Sequence, residues 1–435
     1  MNRALLAHVL AAPPIPPIAT REDLIDLLAS AAELEHAIMC QYLFGALSID
    51  RASAELSPAG TELARTFALE LLSIARQEME HLGIVTNLLI AVGAPPDFDR
   101  PNLPIQSNYY ALDLPLELLP FGDAFLALAE RLEQPITDSK AQQALPYYPT
   151  VAAIYDRLSA GLQYLGGPGG PLETTLFLGA NDPQISNADF GATPTQVWYS
   201  ITLLPVTDLK SALAAVDLIR IQGEGANAED PSSHYAIVRR IKAQWDGLGA
   251  AERAAMCKPV PANPVTRERG DVDPLIKCCV LRDPRAVELA RIANRAYELI
   301  LLLLSRIYGK NDATAADRAV YLKYAFFPLM TIVIRPLGEI LTELPAGDGE
   351  HCATATFELD GPIRTYPDRT SFNIQLGERL THIAAGLAAL AALPDVPARL
   401  QFVAKNAAYV RDRVLAYVTG GHVESVGHGY TEAQT

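Results

Sequence analysis

Apolar positions recur at steps of three and four over most of the chain, which is the period of amphipathic helices. Thr20 caps a first helix that runs to about Leu47, and its buried stripe is Leu24, Leu28, Ala31, Glu35, Ile38 and Tyr42. Ser57-Pro58 starts a second helix, ending at about Val92 before Gly93-Ala94-Pro95-Pro96. Its stripe is Leu63, Phe67, Glu70, Ile74, Glu78, His81, Val85 and Leu88. Further helices are predicted over about 121–133, 150–165, 209–222, 231–245, 285–308 and 315–344, with a last helical part over 372–417. Short strands are expected near Val197 to Leu203.

Breaks in this pattern divide the chain. Residues 1–19 form an Ala/Pro-rich extended lead with little positive charge, unlike an export signal. Residues 20–258 hold the first group of helices. Residues 259–274 are Pro-rich and read as a linker, and 275–435 form a helical C-terminal region that covers the site or supplies a homodimer interface. The predicted class is mainly α, a helical bundle with long irregular insertions.

Three ionisable side chains on one core line need an explanation. An ionised carboxylate is costly to bury unless a cation, a metal or several hydrogen bonds offset it. Several carboxylates in one core repel one another as well. Glu78 and His81 are three residues apart and so share a helix face, and bundles that hold two metal ions use this Glu-x-x-His pair. The candidate ligands are Glu35, Glu78, His81, Glu133, Glu224 and His234. Oxygen ligands with a few imidazoles suit iron, with manganese as the alternative. Glu70 is expected in a buried salt bridge or an outer supporting role, Glu80 in solvent, and His36 in a structural or supporting role.

Composition narrows the partners. The net charge of −15 argues against nucleic acid and against anionic membranes. The strongest apolar run, Leu299 to Leu304, is too short to span a bilayer. Five irregularly spaced cysteines without a Cys-x-x-Cys pair fit reduced thiols in a cytoplasmic protein. No dinucleotide fingerprint, P-loop or Gly-x-Ser-x-Gly elbow is present in the sequence.

The ordered motifs Glu33-Leu34-Glu35-His36-Ala37, Gln41-Tyr42-Leu43, Gln77-Glu78-Met79-Glu80-His81-Leu82 and Gly93-Ala94-Pro95 resemble a known family. Glu133-Gln134-Pro135, Gln222-Gly223-Glu224-Gly225 and Ser233-His234-Tyr235 extend the match over roughly residues 20–245. The chain is similar to the ferritin-like domain of the iminophenylpyruvate dimer synthases of bisindole pigment biosynthesis. The resemblance implies ligand roles for Glu35, Glu78, His81 and Glu224, and supports Glu133 and His234. It implies a di-iron oxidoreductase that uses O2 or peroxide on a small organic molecule in secondary metabolism. One departure stands out: Val151-Ala152-Ala153-Ile154-Tyr155 has Ala153 where the family pattern carries a glutamate. That departure motivates the alternative of a non-catalytic scaffold or binding protein with a degenerate or structural metal site.

Overall fold

A computed structural model describes residues 14–107, 109–135, 145–190, 201–223, 230–270, 276–364 and 368–420. Eleven helices occur among them: α1 (Arg21–Leu47), α2 (Pro58–Ala91), α3 (Asp123–Leu132), α4 (Val151–Gly166), α5 (Leu209–Gln222), α6 (His234–Asp246), α7 (Ala250–Met256), α8 (Pro284–Ile307), α9 (Ala315–Leu341), α10 (Arg369–Ala391) and α11 (Leu400–Val418). β structure among these residues is nearly confined to a two-residue parallel pair, β1 (Pro264–Val265) against β2 (Cys279–Val280). Residues 201–203 of the expected strand segment are not in a strand, and 197–200 lie outside the described residues.

Local signals explain the helix starts. Thr20 and Asp23 form a reciprocal capping box at the head of α1. Ser57 accepts from the Gly60 amide, with Pro58 in the first turn of α2. Asp208 and Ser211 cap α5, and Ser233 caps α6 immediately before His234.

The long α1 and α2 pack along each other, α4 and α5 lie together, and α3 leans on α6. Arg21 ties the base of this group, giving its guanidinium to the carbonyls of Val92 (2.7 Å), Leu176 (2.5 Å) and Thr175. Close approach matters at Gly45 on α1, where the Phe125 ring of α3 occupies the space a Cβ would need.

A second group follows, in which α8 and α9 pack with the α10–α11 pair. The last helical part breaks between Ala391 and Leu400, so it is two helices. α9 contains two π-helical turns, Tyr321–Phe326 and Leu329–Ile334. By length and composition α9 is apolar enough to cross a membrane, as core helices also can be, and it packs on α8 and α11.

Residues from both sides of the Pro-rich stretch 259–274 contribute to one hydrophobic core. Tyr297 of α8 meets His36 of α1, and Tyr308 donates to the Gly83 carbonyl of α2 (3.3 Å). The C-terminal helices thus buttress α1 and α2, the two helices that carry most of the polar side chains inside the first group.

Candidate metal centre

Five of the six sequence-predicted ligands come together. Glu35, Glu78 and His81 form one buried group whose ligand-type atoms all lie within 4.8 Å of one another, and Glu78, Glu133 and His234 form a second. Glu78 belongs to both. Glu224 lies outside the described residues. Its neighbour Gly223 is placed against both imidazoles: a Cβ there would be 3.4 Å from His81 Cε1 and 3.5 Å from His234 Nδ1.

Helical spacing places these groups. Glu35 projects from α1, and Glu78 and His81 share one face of α2. Glu133 sits at the C-terminal cap of α3, and His234 opens α6. Glu78 Oε2 lies 3.0 Å from His81 Nδ1, and its Oε1 lies 3.0 Å from His234 Nδ1. Glu35 Oε2 is 3.6 Å from His81 Nδ1, and Glu133 Oε2 is 3.5 Å from His234 Nδ1. The imidazole centroids are 5.6 Å apart. Each Nδ1 therefore faces two carboxylates, and Glu78 lies between the two rings.

The far nitrogens have their own partners. His81 Nε2 is 3.2 Å from Gln222 Oε1, and His234 Nε2 is 2.9 Å from Gln77 Oε1. An amide oxygen only accepts, so both Nε2 atoms carry the proton and donate. Tyr42 donates to Glu133 Oε1 (2.5 Å), and Tyr155 donates to Glu35 Oε1. Gln77, Gln222 and Tyr155 stand within the sequence motifs, but the sequence assigns them no role.

Burial and mutual charge set the protonation of the cluster. Glu35 is pushed up to about 8, first by burial and then by the charge of Glu78. Burial acts on Glu78 in the same sense, but the His234 and His81 imidazoles hold it well below the usual carboxylate range. Burial opposes protonation of His234, yet Glu78 and Glu133 carry it up to about 9. His81 is likewise raised against burial by Glu78 and Glu35. Burial raises Glu133, with His234 acting the other way.

The donor set fits a pair of metal ions. His234 Nδ1 is completely buried and close to two carboxylate oxygens, yet it makes no hydrogen bond of acceptable angle. An imidazole whose opposite nitrogen donates to Gln77, with Nδ1 directed at carboxylates, is arranged as metal ligands commonly are. Three carboxylates and two imidazoles in an apolar core match the hard and intermediate preferences of iron and manganese.

Glu70 pairs with Arg240 at 2.7 Å, in a half-buried bridge. His36 turns away from the cluster to Tyr297, which also contacts Cys40 (3.2 Å) and Arg100 (3.3 Å). The solvated placement expected for Glu80 is wrong: it is buried, takes a hydrogen bond from Arg76 at 3.1 Å, and accepts from the Thr202 amide at 3.2 Å. The segment leading into α5 covers that face of α2, and no helix period can reveal such a cover. Ala153 is only half-buried, while Tyr155 on the same helix is fully buried. Two positions apart on a helix is about 200°, so a carboxylate at 153 would point away from Glu35.

Residues 28–243 match the ferritin-like family model, and this part of the chain is a ferritin-like domain. Over most of its length the chain is similar to two bisindole pigment enzymes. One is the dichlorochromopyrrolate synthase of Lentzea aerocolonigenes, 30% identical over 89% of this chain and 41% of that protein. The other is the 2-imino-3-(indol-3-yl)propanoate dimerase of Chromobacterium violaceum, 27% identical over 83% of this chain and 36% of that protein. The matched region thus spans about two-fifths of the length of these relatives. Among solved structures, a ferritin-like protein from Caulobacter vibrioides aligns with 71% of this chain and 96% of its own, at 18% identity and a TM-score of 0.46.

Proposed function

We propose that this chain is a di-iron oxidoreductase, able to use manganese instead, that carries out O2- or peroxide-dependent oxidation of a small organic substrate. The observation that carries this is Glu78, buried with one oxygen toward each of two imidazoles and flanked by Glu35 and Glu133. Glu35, Glu78 and His81 would hold one ion, and Glu78, Glu133 and His234 the other. Bound there, the ions would supply activation of dioxygen or peroxide.

The chain's own residues do the rest. Gln222 and Gln77 fix the two imidazoles with Nδ1 directed inward. Leu34, Ile38, Ile74 and Val85 are buried on α1 and α2, two of the helices that carry the site, and apolar surroundings of this kind limit the access of bulk water.

The relatives' names supply a substrate class. One is a dimerase of an indolyl imino acid, and we extend the imino acid class to this chain. Joining two such molecules through carbon breaks one C–H bond in each, forms one C–C bond and releases two electrons and two protons, which reduce dioxygen to hydrogen peroxide or peroxide to water. The five free cysteines support a reducing cytoplasmic setting.

Oxygen uptake by the iron-loaded protein tests this reading. Uptake that rises with an aryl imino acid, generated in place from the amino acid, and that disappears in Glu78→Ala is expected. Uptake equal to that of free iron in the same buffer would instead support a scaffold.

A further inference from the structure

The two halves of the cluster repeat one another down to the individual oxygen. In one half Glu35 commits Oε1 to the Tyr155 phenol and turns Oε2 toward His81 Nδ1, 3.6 Å away. In the other, Glu133 commits Oε1 to the Tyr42 phenol and turns Oε2 toward His234 Nδ1, 3.5 Å away. Glu78 differs, because both of its oxygens face imidazoles. Tyr42 and Tyr155 are fully buried and come from different helices, α1 and α4.

A carboxylate can bind a cation through one oxygen or through both. A phenol O–H on one oxygen occupies a lone pair of that atom and restrains rotation of the whole group. A phenylalanine would fill nearly the same apolar space at either position, so packing alone does not call for the hydroxyl. The phenols instead meet the two outer carboxylates and leave the shared one untouched.

We propose that Tyr155 and Tyr42 are positioning residues that hold Glu35 and Glu133 in a one-oxygen binding mode. Each reserves Oε2 for the ion and keeps Oε1 from closing a chelate on it. This inference rests on the metal-centre reading above, and it assigns the phenols no part in electron transfer.

The test uses Co(II) as the probe ion with the wild type, Tyr155→Phe, Tyr42→Phe and the double variant. Circular dichroism reports folding, and ion titration reports stoichiometry. Infrared difference spectra, loaded minus metal-free, report carboxylate mode. The wild type is expected to show the wide separation of symmetric and antisymmetric stretches that marks one-oxygen binding. Each single variant is expected to keep both ions but shift one carboxylate to the narrow separation of a chelate, with weaker visible Co(II) bands as coordination number rises. Variant spectra that superimpose on the wild type would overturn the inference and leave the metal-centre reading standing. Should a variant fail to fold, the wild type still decides: outer carboxylates already in the narrow, chelating pattern refute it. A folded wild type that takes up no Co(II) would remove the metal-centre reading and this inference together.

Discussion

Gln77 Oε1 lies 2.9 Å from His234 Nε2, while the next residue, Glu78, brings Oε1 to 3.0 Å from the same ring's Nδ1. One dipeptide on α2 thus addresses both nitrogens of an imidazole that enters the chain 157 positions after Gln77. The ring can neither turn over nor change tautomer without losing one of the two contacts. Gln77→Leu is expected to weaken Fe(II) or Mn(II) affinity about 10- to 100-fold, and Gln77→Glu to keep an acceptor and bind at least as well as wild type. Competition against a chromophoric chelator measures both.

A second prediction concerns the buried aromatic–cation group beside the site. Tyr297 joins His36, Cys40 and Arg100, all four buried. Tyr297→Phe removes a shared partner and is expected to lower stability by about 1–3 kcal/mol in urea denaturation. Metal stoichiometry should not change, since His36 points away from the cluster. A lost ion in this variant would show that the group acts on the metal site.

Asp317 in the C-terminal group is expected to contribute to acid sensitivity. Asp317 is completely buried and receives two guanidinium nitrogens of Arg369, at 2.7 and 2.8 Å, with Thr314 and Tyr417 also donating. Burial acts to raise this carboxyl, but Arg369 and Thr314 more than reverse it and hold it well below the usual carboxylate range. A depressed folded-state pKa stabilises above the unfolded value, so the contribution is complete above about pH 4 and is lost as pH falls below it. Asp317→Asn is expected to cost roughly 1–3 kcal/mol at pH 7. That is less than the ~3–5 kcal/mol of a fully buried broken pair, because Arg369 is free to re-enter water. Its stability should fall less steeply than the wild type's below pH 4, as read by urea titration across that range.

Gly45 sets two effects against each other. Alanine favours a helix by about 1 kcal/mol relative to glycine. Here the added Cβ would lie 2.6 Å from Phe125 Cε2, in the ring that packs edge-on against Tyr42. Overpacking costs about 1–3 kcal/mol and should win, so Gly45→Ala is expected to lower the midpoint of thermal unfolding. A rise would show that Phe125 yields freely.

Much of this architecture was readable because the site uses helix periodicity. Glu35, Glu78 and His81 interrupt apolar stripes, and burial of a charge demands a partner whatever the fold. Glu133 and His234 were weaker signals, since a carboxylate at a helix end and a histidine in a first turn are ordinary surface features. The supporting side chains were hidden for different reasons. Tyr155 reads as one more apolar residue of α4. Gln77 and Gln222 are neutral residues that look solvated from their own helices. Pairings such as His36 with Tyr297, 261 positions apart, follow from tertiary packing alone. The cover over Glu80 and the two π turns of α9 belong to the same class.

The central claim is that Glu78 serves two metal sites at once. Elemental analysis of protein produced in iron-rich medium, wild type beside Glu78→Ala, tests it most directly. The account predicts about two irons per chain in the wild type and loss of both in the variant, because each three-residue group contains Glu78. A folded, helical wild type without iron or manganese, or a Glu78→Ala protein that keeps both ions, would contradict it.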